Sequence, residues 1–400
     1  MRVLILTNMY PNPASAHSGI WLHEIVKGLQ KKGYQFRVAF SVPAPPFPFS
    51  NFRKWNEFSQ LFPANHEVDG VQIDFLRYYS SYKLIPHRHQ GTVFMLNQRK
   101  NLSSIIEDFK PDLLWAQPSL PNGWAAKKLG KKLCIPYVVA VHGADINESA
   151  TLPGAARKLR LVYETAKSVI SISQRLDREV KNIAPASNRQ LVHFGVDLST
   201  FDEAVKIRHH YLSNAHLKKP LRILSVSNLI ESKGIQYNIQ AISKLVRKGL
   251  SIEYTIVGDG VFGNELKDMT VRLGLIEYIK FVGRLSHPLA LEEMAKTDIF
   301  SLPSYQEGMG MVYLEAMALG VPAIGISGQG IEDVIENGKN GVLIDPHDPD
   351  SIVDTIEQLA DDSELKKLIG SNAKLHIQQN FAWETTCEKF ENIFRNTITT

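Results

Sequence analysis

Between two apolar runs in its second half the chain reads Glu307-Gly308-Met309-Gly310-Met311-Val312-Tyr313-Leu314-Glu315-Ala316-Met317-Ala318-Leu319-Gly320-Val321-Pro322. Gly308 and Gly310 let the main chain approach a ligand closely, immediately before a helical pattern. The free N–H groups of Met309, Gly310, Met311 and Val312, backed by the helix dipole, form an anion site suited to a diphosphate. Glu307 precedes this site, and Glu315 follows it about two helical turns later. Carboxylates beside a phosphate do not favour the phosphate itself. They suit hydroxyl hydrogen bonds, one from each sugar of a sugar–diphosphate–ribose ligand.

Other constellations point elsewhere. Gly258-Asp259-Gly260-Val261-Phe262-Gly263 matches the dinucleotide fingerprint, with Arg284 as a partner for a 2′-phosphate. It falls in the second strand–helix unit of its half, however, and no acidic residue ends the next strand, so a redox role is disfavoured. Asp348-Pro349-Asp350 is a literal D-x-D metal motif, but its place at a helix start favours capping. His87, His89, His209 and His210 lack carboxylate or cysteine companions and are expected in solvated loops, so no metal site is expected. His142 closes an expected strand on a loop facing a cleft, where a lone histidine is more often structural than functional. Asp145, in the same loop, either orients an acceptor hydroxyl or caps the next turn.

The elements that must position these residues follow from short β-branched runs alternating with helical patterns. In the first half, strands are expected at 3–6, 35–40, 113–116, 137–141, 169–172 and 190–192. Helices fit 19–32, 94–109, 123–133, 155–166 and 174–181. Pro43, Pro45, Pro46 and Pro48 open an irregular segment to about residue 65. The stretch 195–220 reads as a linker. Strands then return at 222–226, 253–257, 279–282, 298–302, 321–324 and 341–344, with helices at 234–248, 265–273, 289–296 and 311–319. Three helices close the chain. Two Rossmann-like halves facing each other across a cleft are expected, with ligands at the carboxyl ends of the strands.

Four hundred residues exceed the size of one growing core, which favours two domains. No apolar run approaches the ~18–20 residues that span a bilayer, and the first residues resemble a strand more than a leader, so a cytoplasmic protein is expected. Cys134 and Cys387 read as buried thiols in a reducing compartment. Residues 1–200 carry 25 Lys and Arg against 14 Asp and Glu, whereas 201–400 carry 20 against 27. Lys127, Lys128, Lys131, Lys132, Arg157, Lys158 and Arg160 either meet an anionic membrane surface at the inner face of the plasma membrane or form exposed helix faces. Few aromatics interleave with them, so no nucleic-acid platform is expected.

The pattern E-x-x-G-x-x-x-x-E-A-M-A-x-G-x-P resembles the donor signature of the glycogen-synthase-like, family-four retaining glycosyltransferases. The resemblance extends to Gly19, His142-Gly143-Ala144-Asp145, Gly195-Val196-Asp197, Lys233-Gly234, Val257-Gly258-Asp259-Gly260, Pro303-Ser304 and Gly341. It implies the α/β GT-B fold, with an acceptor-side domain at 1–195, a donor domain at 196–380, and a C-terminal helix at about 381–400 packing back on the first. It implies that His142, Lys233 and Glu307 are catalytic: His142 approaches the donor sugar, Lys233 reaches the diphosphate and Glu307 contacts the sugar. Glu315 would hold the ribose, and Gly19, Gly308, Met309, Gly310, Met311 and Val312 would line the donor. The family pattern pairs an arginine with Lys233, and here that position is Asn228. Relatives resembling the teichuronic-acid and exopolysaccharide enzymes also carry asparagine; Arg284 either compensates or its loop holds the nucleobase.

The implied reaction moves a hexosyl unit from a UDP- or GDP-linked sugar to a hydroxyl of a glycan or lipid-linked acceptor. Configuration would be retained, on one face of the sugar, with domain closure and without metal or other cofactor. A nucleotide-sugar epimerase of the same fold and a non-catalytic nucleotide-sugar-binding subunit are the alternatives.

Overall fold

The computed structural model describes the chain except residues 16–17, 45–60, 64, 81–86, 148–149, 151, 153, 214–219 and 400. It divides into two compact units, 1–192 with 386–400, and 193–385.

In the first unit, β1 (Arg2–Thr7), α1 (Ile20–Gln30), β2 (Gln35–Ala44), β3 (Asn65–Val68), β4 (Val71–Tyr79) and α2 (His87–Phe109) come first. Then follow β5 (Leu113–Ala116), α3 (Trp124–Leu133), β6 (Tyr137–Val141), α4 (Ala144–Asn147), α5 (Ala155–Tyr163), β7 (Ser168–Ser171), α6 (Gln174–Ile183) and β8 (Arg189–Leu191). The sheet order is β3-β4-β2-β1-β5-β6-β7-β8, with only β3 antiparallel to its neighbour among the described strands. A parallel sheet covered on both faces needs continuous apolar runs rather than alternation. Val3, Leu4, Ile5 and Leu6 on β1, and Val138, Val139, Ala140 and Val141 on β6, accordingly have no exposure.

The second unit holds α7 (Asp202–Ser213), β9 (Leu221–Val226), α8 (Ile235–Arg247), β10 (Ile252–Val257), α9 (Gly263–Arg272), β11 (Ile279–Gly283) and α10 (His287–Ala295). It continues with β12 (Ile299–Ser301), α11 (Met311–Ala318), β13 (Ala323–Ile326), β14 (Val342–Ile344), α12 (Pro349–Asp361) and α13 (Ser363–Asn380). Its parallel sheet runs β11-β10-β9-β12-β13-β14, so the strand order reverses between β9 and β12. Such a switch point is where open α/β sheets hold ligands.

A last helix, α14 (Trp383–Thr399), leaves the second unit and joins the first from Thr386 onward. There Phe390 and Phe394 pack on Trp115 with ring centroids 5.1 and 5.3 Å away. Gly28 admits Cys387, whose Sγ lies 2.3 Å from where a Cβ on that glycine would sit.

Several expectations are corrected. The stretch read as a linker contains α7, whose Arg208 is buried and donates to the carbonyls of Thr297 and Gly320 at the ends of α10 and α11. His209 and His210 are therefore on a helix, and His87 and His89 begin α2. Strands β3 and β4 were missed because charges interrupt them. Asp74 is nonetheless buried in β4, held by Arg37 Nε at 2.7 Å and Nη2 at 3.1 Å. Cys134 is exposed, since it closes α3 in the left-handed conformation, whereas Cys387 is buried. Pro43 lies in β2, and Pro45, Pro46 and Pro48 are outside the described residues. Among the described residues no helix is long and apolar enough to cross a membrane.

Candidate active site

The loops after β9 and β12 are built against each other. Beyond β9, Leu229 is fixed by an N–H donated to the Asp259 carbonyl and by a carbonyl accepting from Phe262 N–H. A short turn, residues 231–233, then ends at Gly234, whose φ is 71°. A Cβ there would lie 2.0 Å from the Pro303 carbonyl oxygen, so only glycine lets the two loops meet. Tyr305 N–H donates to the Ser232 carbonyl at 3.0 Å, lacing the contact further.

This lacing brings Lys233 to Glu307. Nζ lies 2.6 Å from Oε2, with the side chains 18% and 13% exposed, which removes most of the solvent screening of a surface pair. Glu307 is held from behind as well: its N–H donates to Gln329 Oε1 at 3.1 Å. Gly330 crosses the loop so closely that a Cβ would stand 1.8 Å from the Gly308 carbonyl oxygen. Gly310, at φ 81°, turns the chain into α11. Tyr313 lies beneath it and donates its hydroxyl to the Leu302 carbonyl. Burial, then the neighbouring Glu307 charge, pushes that phenol's pKa well up and keeps it a neutral donor.

The N–H groups of Met311 and Val312, both half-buried, lack intrahelical acceptors by geometry, whereas Tyr313 N–H already donates to the Gly310 carbonyl at 3.0 Å. Met309 is buried, and its Sδ accepts from Phe194 N–H at 3.3 Å, so its main chain alone can face a ligand. Glu315 follows on α11 with Oε1 2.9 Å from His287 Nε2. Asn228 is exposed and engages Ile230 N–H through its carbonyl. Arg284 is exposed just past β11 and forms no ion pair among the described residues.

Gly258 and Gly260 have a packing reason. Cβ atoms would meet the Ser227 carbonyl oxygen at 1.8 Å and the Leu229 carbonyl oxygen at 2.3 Å. These glycines admit the loop after β9 rather than a dinucleotide. Asp348 caps α12, accepting from the N–H groups of Asp350 and Ser351, while Asp350 pairs with Lys244 at 2.6 Å.

In the first unit, Gly19 starts α1 at φ 62°, where a Cβ would be 2.4 Å from the Met9 carbonyl oxygen. His142 follows β6; its Nε2 is 2.6 Å from Gln117 Oε1, and its ring stands 4.2 Å from Trp21. Burial pushes its pKa down to about 3, so the ring is neutral, with the Nε2 hydrogen donated to the amide oxygen. Asp145 is in α4, and its side chain is outside the described residues. Elsewhere in this unit, Tyr10 Oη and Asp69 Oδ2 bracket His23 at 2.8 and 2.9 Å. Lys128 and Lys158 lie over the Trp124 ring at 4.9 and 4.3 Å. Burial and then adjacent cations lower the pKa of Lys127 and Lys158. Arg160 is partly spent on the Ile183 carbonyl.

His287, Gln329 and Gln117 were not found from sequence. Each acts on a residue far along the chain, through a contact that no local spacing announces.

Residues 18–200 match the family described as Glycosyltransferase Family 4, and residues 212–376 match Glycosyl transferases group 1. A Bacillus subtilis (strain 168) glycosyltransferase assigned to teichuronic acid biosynthesis, TuaC, is 24% identical over 389 residues, covering 95% of each chain. Sucrose-phosphate synthase from Thermosynechococcus elongatus has the same fold, with a TM-score of 0.82 over 100% of both chains at 17% identity. Anabaena HepE, solved in complex with UDP-glucose, gives 0.72 over 99% of this chain and 100% of its own, at 20% identity.

Proposed function

The chain belongs to the family 4 glycosyltransferases, and from that membership we propose that it is a retaining enzyme moving a hexosyl unit from a nucleotide diphosphate sugar to an acceptor hydroxyl in cell-surface glycan synthesis. The observation that carries this reading is the Lys233–Glu307 pair, 2.6 Å apart beside the start of α11. One group suits a leaving diphosphate and the other a sugar hydroxyl, and the shared loop contacts hold both in one place.

The diphosphate would sit on the main chain of Gly308, Met309, Gly310, Met311 and Val312, favoured by the helix dipole and by Lys233. Glu307 would take a hydroxyl of the sugar, and Glu315 the ribose. Arg284, which forms no ion pair among the described residues, would supply charge that Asn228 does not. The bond from the anomeric carbon to the phosphate oxygen breaks, and a bond to the acceptor oxygen forms on the same face. The acceptor proton passes to the departing phosphate. Catalysis then rests on positioning and on charge stabilisation, with no metal required. His142 and Gly19, with Asp145, belong to the unit that would receive the acceptor. A uridine nucleotide is the first donor to test, since HepE binds UDP-glucose at a comparable fold. The basic surface of α3 and α5 would face an anionic membrane carrying a lipid-linked acceptor, on the cytoplasmic side.

Incubation with UDP-, GDP- and ADP-sugars, with and without glycan acceptors, tests the reading. Acceptor-dependent release of nucleotide diphosphate is the expected result. Donor conversion without an acceptor would instead establish an epimerase, and binding without turnover a sugar-nucleotide receptor.

A further inference from the structure

Glu315 has a buried backbone setting and an under-determined side chain. Leu314 and Ala316 on either side of it have no exposure, so α11 is fixed at this point. The glutamate itself is 14% exposed, and its Oε2 has no hydrogen-bond partner among the described residues. Ordering a glutamate side chain costs rotamer entropy, so a ligand that met it unheld would bear that cost. What holds it is His287, the first residue of α10, through Nε2 at 2.9 Å from Oε1.

We propose that His287 is a positioning residue: it holds Glu315 Oε1 so that the carboxylate presents its remaining acceptor sites to the two hydroxyls of a nucleotide ribose. The proposal rests on the reading of Glu315 as the ribose acceptor. A carboxylate accepts hydrogen bonds and donates none, so the hydrogen is on Nε2. Oε1 keeps a second lone pair and Oε2 keeps both, which is enough for a diol. The contact also has a topological consequence. β11 is the outer strand of the sheet, and β12, which leads into α11, is separated from it by β10 and β9. Through His287, the loop that carries Arg284 is tied to the helix that carries the diphosphate site. Its half-exposed ring, 50% in solvent, makes it replaceable without opening the core.

The test uses the full chain and calorimetric titration with UDP, GDP and ADP, each beside its 2′,3′-dideoxy counterpart. His287→Ala is expected to weaken the best ribonucleotide about three- to tenfold, the range of one ordinary hydrogen bond, since the half-exposed His287 acts through Glu315 and not on the ligand itself. It should leave the dideoxy nucleotide within about twofold, because no ribose hydroxyl is then present to lose. His287→Gln, which keeps an N–H donor, should recover part of the affinity, and the melting temperature should not move. Equal weakening of both nucleotides, or no weakening of either, would overturn the positioning role. Glu315→Gln separates this from the underlying reading. If it too weakens ribo- and dideoxynucleotides equally, the ribose assignment falls and the proposal with it. If it discriminates between them while His287→Ala does not, only the proposal falls. Absence of binding by any of the three nucleotides overturns both.

Discussion

The strand ends of the two units are built on opposite principles. In the second unit, charged groups are paired and loops are laced: Lys233 to Glu307, Glu315 to His287, and Gly234 and Gly330 pressed against neighbouring main chain. In the first, the histidine at a strand end, His142, is neutral, hydrogen-bonded to Gln117 and set beside Trp21. A site for a diphosphate needs fixed charge and free N–H groups. A surface that selects a hydroxyl acceptor needs shape and neutral hydrogen bonds. The contrast suits the donor on one unit and the acceptor on the other.

The strongest way to break that contrast is to remove its charges. Glu307→Ala is expected to lower turnover by about 10³-fold or more, and Lys233→Ala by about 10²–10³-fold, in single-turnover assays with saturating donor. If either variant retains near-parental turnover, the charged edge is not where the chemistry happens.

Next in size are the glycines, one from each unit. Gly234→Ala places a methyl 2.0 Å from the Pro303 carbonyl oxygen, and Gly19→Ala places one 2.4 Å from that of Met9, both at positive φ. The left-handed conformation alone costs an L-residue about 1–2 kcal/mol, and the main-chain clash adds to it. Urea denaturation should show each variant losing at least that much. The Gly234 variant should also lose nucleotide affinity, because its loop carries Lys233. Equal stability of parent and variants would mean that the loops part freely.

A third test concerns the neutral side. The folded pKa of His142, about 3, is below its ordinary 6.5. The stabilising preference for the neutral ring is therefore complete above 6.5 and is lost as pH falls toward 3. NMR of the ring nitrogens should show no titration of His142 between about pH 5 and 8. A midpoint inside that window would place a charge on His142 and erase the contrast.

The smallest effect expected on turnover is at the basic face. Arg157→Glu with Lys158→Glu should reduce sedimentation with phosphatidylserine-containing vesicles severalfold, at roughly 1 kcal/mol per basic residue near an anionic surface. Turnover on a soluble acceptor should change by less than about twofold. Unchanged sedimentation would leave these residues as solvated helix faces.

Legibility differed between the units for the same reason. Residues 307–315 are contiguous, and a glycine-bearing loop leading into a helix is set by neighbours in sequence, so it can be read directly. Lys233 is legible because its turn must end in a glycine. The first unit offers no such run: His142, Gln117 and Trp21 come from three separate loops or helices, and no spacing relates them. Buried charge misleads in a similar way. Asp74 interrupts β4 on paper, yet Arg37 and the register of β2 with β4 make it an interior residue.

The sequence by itself determined the alternation of strands and helices, the glycine-bearing loop that runs from Glu307 into the helix of Glu315, and the capping role of Asp348. All of these depend on neighbours within a few residues, where backbone geometry and propensity act. Only the tertiary structure decided that Lys233 meets Glu307, that His287 holds Glu315, that Gly258 and Gly260 serve packing, and that α7 occupies the supposed linker. These depend on which strands lie side by side. Strand order is set by burial of the whole sheet, a property that no short window of residues contains.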